Sequence, residues 1–520
     1  MNFLKLRLWV TLAFCTIVLN GADKHLEKTS RIVVNVDLGE DTISKFIYGH
    51  FAEHLGQCIY GGIYVEADSP IPNTRGIRND VVTALKEIEP SVVRWPGGCF
   101  ADTYHWKDGI GPRDQRPSII NTHWGGVTED NSFGTHEFLD FCELIGAEPY
   151  ICANVGSGTI QEAAEWVEYV NSDAKSPMTE LRKKNGREKP WNVEYWAVGN
   201  ESWGCGGHMT PEYYTDLYKR YATYMRSGRL YRVASGGTDP DFDWTKTVLK
   251  ETERYRQLIQ GYSFHYYTFC HGWNDKSSAT QFNENDWFYT MKNTMVMEER
   301  LEGHIALMDE YDPQNRIGLI ADEWGNWFNV EPGTNPGFLY QQNTVRDAVT
   351  AALYLNIFNN HARRVKMANI AQFVNVLQAM ILTKDDQIVK TPTFYVFKMY
   401  KVHHDAMLLP INVTCDDYTY DRMTLPSISA SASQDKEGVI HVSLCNIDPH
   451  NNRKVEIDLR GSDRLSNSGG EIITAPNMND FNDFDKTEKV NIQKFSSFSL
   501  KNNILKVDLP AKSVVTIALK

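Results

Sequence analysis

The chain has 520 residues, of which 42% are hydrophobic and 12% aromatic, an apolar supply that builds a sizeable core and excludes intrinsic disorder. At roughly 150 residues per domain the length fits about three domains, or one large barrel with a smaller companion. With 53 Lys and Arg against 66 Asp and Glu, a net charge of −13 and no basic run, the composition argues against nucleic acid and anionic membrane surfaces as partners.

The first 22 residues read as an export signal: Lys5 and Arg7 form a charged start, Leu8–Leu19 is apolar but too short to span a bilayer, and Asn20-Gly21-Ala22 supplies small residues for cleavage. A secreted or periplasmic protein is therefore expected. In the next segment, 23–44, Ile32, Val34, Val36 and Leu38 alternate with polar residues, which predicts one β-strand. Between residues 45 and 407, short β-rich runs alternate with helical patterns, and eight such units predict a (β/α)₈ barrel. The strands are expected at Phe46–His50, Val92–Trp95, Tyr150–Val155, Tyr195–Asn200, Val233–Gly236, Tyr262–His265, Gly318–Asp322 and near Lys366–Ala371. Helices are expected over Asn79–Glu89, Thr135–Ile145 and Ile160–Val170, the last behind the capping box Thr159-x-x-Glu162, and another opens at Thr210-Pro211. From 408 to 520 the period becomes two, as in Val439–Cys445 and Lys454–Leu459, which predicts an antiparallel β-sandwich. The strand of 23–44 is expected to join that sandwich, because the barrel already has its eight.

In a barrel of this kind, chemistry sits at the C-terminal strand ends. Two of those ends carry an acid: Trp196-Ala-Val-Gly-Asn200-Glu201 and Leu319-Ile-Ala-Asp322-Glu323-Trp324. Strands four and seven face each other across a barrel, so Glu201 and Glu323 can form the carboxylate pair that glycoside hydrolysis requires. Two carboxylates and a proton suffice for that reaction, so neither a metal ion nor a cofactor is expected. Nine cysteines are scattered without C-x-x-C spacing, which makes a disulfide framework and a zinc cluster both unexpected.

These strand ends belong to longer motifs: Tyr48-Gly-His-Phe-Ala-Glu53, Val93-Arg94-Trp-Pro-Gly-Gly-Cys99, Asn121-Thr-His-Trp124, Phe264-His265-Tyr-Tyr267, Asp322-Glu323-Trp-Gly-Asn-Trp327 and Asn375-Val-Leu-Gln378. Together they resemble the α-L-arabinofuranosidases of glycoside hydrolase family 51 through most of the chain. The resemblance implies removal of terminal arabinofuranose with retention of configuration, Glu201 as general acid/base and Glu323 as nucleophile. It further implies that Glu53, Arg94, Cys99, Trp124, Asn200, His265, Tyr267, Trp327 and Gln378 bind the sugar. Arabinose-containing polysaccharides and oligosaccharides are the partners it implies, and a homo-oligomer follows by analogy with the family.

Other readings compete with this one. A related barrel glycosidase, such as an endo-β-1,4-glucanase or β-xylosidase, differs only in loops, and a catalytically silent carbohydrate-binding protein has the same fold and aromatics. His50-Phe-Ala-Glu53-His54 matches the H-x-x-E-H zinc signature, which needs a helix where this chain has a strand bracketed by Gly49 and Gly56. Asn200-Glu-Ser202 matches a glycosylation sequon, but a glycan there would block the proposed site.

Overall fold

The computed structural model describes residues 29–520. Strand β1 (Ser30–Asn35) precedes eight strands that pair in parallel into a closed barrel: β2 (Gly49–Phe51), β3 (Val92–Trp95), β4 (Glu148–Ala153), β5 (Tyr195–Val198), β6 (Tyr231–Ala234), β7 (Gly261–Thr268), β8 (Gly318–Asn326) and β9 (Val365–Ala371). All eight expected strands form. The first begins later than predicted, because Lys45–Tyr48 closes a 3₁₀ turn in which the Ser44 hydroxyl accepts the Phe46 N–H. The seventh extends four residues past Asp322.

That extension carries a local irregularity with chemical consequences. Phe264 of β7 pairs with Ala321 of β8, but the next residue, His265, pairs with Glu323, so Asp322 is an extra residue in the ladder. Strand residues normally alternate between faces. The inserted residue lets both Asp322 and Glu323 reach the same inward groups, a use of bulges common beside active sites.

Helices surround the barrel as their caps dictate. Thr159 accepts the Glu162 N–H at the start of Ile160–Asn171, and Thr210 caps Pro211–Tyr224 with Pro in the first turn. The helix Val345–Asn360 is buried along nearly its whole length, consistent with its apolar residues on every side. It lies between barrel and sandwich, where Asn356 and Asn359 hydrogen-bond to Ser429 and Ser431.

The sandwich consists of a five-stranded and a six-stranded sheet. Ile32 and Val34 of β1 enter its core with Ile457, Val442 and Ile517. β1 lies inside the five-stranded sheet, antiparallel to Ile411–Thr414 but parallel to Arg453–Arg460, so this sheet is mixed rather than wholly antiparallel.

Candidate active site

The two acids stand on β8 and just past the end of β5. Glu323 is 5% exposed, with Oε1 accepting from Arg94 Nη1 at 2.8 Å and Oε2 from the Tyr267 hydroxyl at 2.9 Å. Glu201 accepts at Oε1 from His265 Nδ1 at 2.9 Å, and the same nitrogen lies 3.5 Å from Glu323 Oε2. A carboxylate oxygen of Glu201 and one of Glu323 are within 4.8 Å of each other. Oxygens this close suit the short spacing of a retaining pair, about 5–5.5 Å between carboxyl groups, better than the ~6.5–9.5 Å that admits a water in inverting enzymes.

Beneath the acids lies a buried charge network. Arg94 donates to Glu323 and, through Nη2, to Asn200 Oδ1 at 2.6 Å, while its Nε is 3.5 Å from Asp322 Oδ2. Asp322 also accepts the Tyr150 hydroxyl at 3.0 Å and pairs with His265 Nε2 at 3.0 Å. Burial opposes a charge on His265, but Glu323, Asp322 and Glu201 together raise its pKa to about 10. Burial likewise favours a neutral Asp322, yet Arg94 and His265 outweigh it and hold this carboxyl below its usual range. Two cations thus face the paired carboxylates Asp322 and Glu323. Glu201 Oε2 accepts no N–H or O–H hydrogen bond from the described residues, in contrast to Oε1.

Glu53 also lines the site. Its Oε1 accepts from Phe100 N and Trp124 Nε1, and its Oε2 from Gln372 Nε2. Burial, and next the charge of Glu323, push its pKa up to about 7 against those three donors. Gly98 makes the approach feasible, since a Cβ there would sit 2.5 Å from Glu53 Oε1. Cys99 and Cys205 form a disulfide between the loops after β3 and β5, and their sulfurs lie 3.9 and 3.5 Å from Glu201 Oε2. The cavity enclosed by these residues has a volume of about 610 Å³.

Residues 84–267 match the sequence family described as the α-L-arabinofuranosidase 1 domain, and residues 322–513 match the α-L-arabinofuranosidase C-terminal domain. An intracellular exo-α-L-arabinofuranosidase of Bacteroides ovatus is 51% identical over 99% of this chain and 100% of its own length. The chain belongs to the α-L-arabinofuranosidases of glycoside hydrolase family 51. Among solved structures, the family 51 arabinofuranosidase of Xanthomonas axonopodis pv. citri superposes with a TM-score of 0.93 at 44% identity, covering 95% of this chain and 100% of that one. The Thermotoga maritima α-L-arabinofuranosidase in its arabinose complex gives 0.83 at 32% identity, covering 94% and 99%. As an α-L-arabinofuranosidase the protein acts on arabinose-containing glycans. One expectation is corrected: the predicted signal, residues 1–22, lies outside the described residues, and the Bacteroides relative matched over its whole length is named intracellular. The expectation of a secreted or periplasmic enzyme is withdrawn.

Eight of the eleven residues singled out in the sequence line the arabinofuranosidase cavity: Glu53, Cys99, Trp124, Glu201, His265, Tyr267, Glu323 and Trp327. Arg94 and Asn200 are buried behind it, where Arg94 bonds Glu323 and Asn200 accepts from Arg94. Gln378 is not in the cavity wall. It is fully buried, its Oε1 accepting from Asn326 N and its Nε2 donating to Asp347 O, so its amide is spent on the backbone. Gln372, six positions earlier, is the glutamine at the site. Cys99 presents a disulfide sulfur rather than a thiol, and the link to Cys205 was not anticipated. The zinc reading fails on geometry: His50 stacks on Phe373 at 4.3 Å, while His54 bonds Glu129 and the Trp95 indole, so the H-x-x-E-H side chains do not converge. Asn200 is 1% exposed, which removes the sequon as a glycan acceptor.

Proposed function

We propose that the protein is a retaining, exo-acting α-L-arabinofuranosidase that removes terminal arabinofuranosyl side chains from arabinoxylan, arabinan and their oligosaccharides. The observation that carries this reading is the carboxylate pair within 4.8 Å. The exo mode is supported by Glu53 in the cavity wall, which is 2% exposed and fixed by three donors, an arrangement suited to holding one terminal ring.

In the first step an oxygen of Glu323 bonds to the anomeric carbon as the glycosidic bond breaks, and the departing oxygen takes the proton of Glu201. In the second step water gives a proton to Glu201 and attacks the anomeric carbon, releasing Glu323 as a carboxylate. The negative charge therefore passes from Glu323 to Glu201 and back. His265, 2.9 Å from one acid and 3.5 Å from the other, is a fixed counter-ion for whichever acid holds it. Arg94 and Tyr267 aim the nucleophile, and the hydroxyl of Tyr267 stays protonated because burial and the neighbouring Glu323 push its pKa well up.

The two acids are told apart on 4-nitrophenyl α-L-arabinofuranoside, whose leaving group needs no proton. Glu201→Ala is expected to show a burst and then slow turnover that azide accelerates, giving a glycosyl azide of retained configuration. Glu323→Ala is expected to show no burst, and any azide product to be inverted. The reverse pattern exchanges the roles, and unimpaired hydrolysis in both variants removes this pair from the mechanism.

A further inference from the structure

The loop after β3 contains a short 3₁₀ helix, Cys99–Thr103. Side chains three residues apart on such a helix lie one above the other, so Cys99 and Asp102 share a face. Both meet the loop after β5. Cys99 is joined to Cys205, and the Asp102 carboxyl packs on the next residue, Gly206, where a Cβ would sit 2.8 Å from Oδ2 and 2.0 Å from the Asn200 carbonyl oxygen. Asp102 is 3% exposed. Its Oδ1 accepts the N–H groups of Val155 and Gly156, at 3.0 and 2.8 Å, in the loop after β4. Its Oδ2 has no hydrogen-bond partner among the described residues. Burial pushes its pKa up to about 7 against the nearby N–H groups of Gly156, Val155 and Asn200 and the charge of Arg94. A carboxyl so placed is costly, and the chemistry described above does not use it.

The turn that this carboxyl braces is the one that carries the acid. Glu201 has a φ of +38°, in the left-handed region that a residue with a side chain keeps only where its surroundings enforce it. The enforcement acts on its carbonyl, which accepts the Gly204 N–H at 2.7 Å and the Gly206 N–H at 3.1 Å. Gly206 is therefore the link, because its N–H closes the turn on Glu201 while its bare Cα faces the Asp102 carboxyl. We infer that Asp102 is a positioning residue for the general acid/base, holding the turn Glu201–Gly206 so that the Glu201 carboxyl reaches the glycosidic oxygen. The inference rests on the assignment of Glu201 as that acid. Asp102 is itself anchored to the loop after β4, where its main-chain carbonyl accepts the Ser157 N–H at 3.1 Å and the Ser157 hydroxyl at 2.7 Å. The disulfide sets how far apart the loops after β3 and β5 stand. The carboxyl three residues on is a second point of support, and it stops the Glu201 turn from pivoting about the first.

The test compares 4-nitrophenyl α-L-arabinofuranoside, whose leaving group needs no proton, with methyl α-L-arabinofuranoside, whose leaving methanol takes one. Asp102→Asn keeps an acceptor for Val155 and Gly156 and puts an amide in place of Oδ2. Its kcat/KM is expected to fall about tenfold more for the methyl than for the nitrophenyl glycoside, a part of the ~10²–10⁴-fold that a placed acid contributes. On the nitrophenyl glycoside it is expected to show a burst and acceleration by azide, both weaker than in Glu201→Ala. Asp102→Ser is read the same way if the Asn variant does not fold. Ser157→Ala loosens the same loops without touching the carboxyl, and is expected to leave the ratio between the two substrates unchanged. An equal loss on both substrates, no loss on either, a matching shift of the ratio in Ser157→Ala, or unfolding of both Asp102 variants overturns the inference. If Glu201→Ala itself does not spare the nitrophenyl glycoside, the assignment of the acid falls, and this inference with it.

Discussion

Replacing His265 by Gln removes the cation between the two acids while preserving a donor of similar reach. The rise of its pKa from the usual 6.5 to about 10 corresponds to roughly 4–5 kcal/mol in favour of the charged form in the folded protein, at ~1.4 kcal/mol per pH unit. The folded value is the higher one, so this stabilisation is complete below about pH 6.5, declines as the pH rises, and is gone above about pH 10. Thermal unfolding of wild type and His265→Gln should therefore differ most near pH 6, with the gap narrowing steadily and closing near pH 10. Nitrogen-15 NMR of the histidine side chains gives the same quantity directly, with His265 still protonated at about pH 8.5. Turnover of the variant should fall on the order of a hundredfold, the scale of losing one preorganised charge-stabilising group. A stability gap independent of pH across this range, or a His265 that titrates near 6.5, would refute the argument that its charge is fixed by Glu323, Asp322 and Glu201.

Two further predictions follow from the placements. Gln378→Ala strands the Asn326 N–H, at a cost of about 1–3 kcal/mol, while the Asp347 carbonyl keeps the Thr350 hydroxyl, so melting temperature should drop while the folded fraction keeps near-normal KM; an unchanged melting temperature with a raised KM would return Gln378 to the sugar site. Glu53, raised to about 7, should add an inflection near that pH to the kcat/KM profile, and Glu53→Gln should abolish it; persistence of the inflection assigns it to another group.

Where a function sits at the end of a regular element, the sequence made it legible. Glu201 and Glu323 each terminate or extend an apolar strand, and the period of those strands placed them on the rim. Asp322 was visible beside Glu323 but not its role, because strict alternation points neighbours to opposite faces and the inserted residue in β8 carries no composition signal. Gln378 and Gln372 illustrate the same limit in a loop, where no period says which amide faces the sugar and which serves the backbone. Trp273, Asp239 and Arg300, which also line the cavity, come together only when the loops after β6 and β7 meet the 28-residue helix Glu284–Tyr311, and Cys99 meets Cys205 across a sequence separation of 106. Contacts of that range are set by closure of the barrel, not by any local pattern.

The position of β1 has a consequence for how the molecule is made. Ile32 pairs with Ile457 on one side and Val413 on the other, so the strand that precedes the barrel finds its neighbours only after the barrel has been synthesised. At about 5–20 residues per second, β1 waits on the order of 20–80 s as an unpaired apolar ribbon while the ribosome completes the intervening chain. In sequence the barrel is thereby inserted between β1 and the other four strands of its sheet, and the sandwich cannot be expressed from the C-terminal segment alone without leaving a slot for β1 between Ile411–Thr414 and Arg453–Arg460. A peptide spanning residues 29–38, supplied in trans, is the natural candidate to fill that slot.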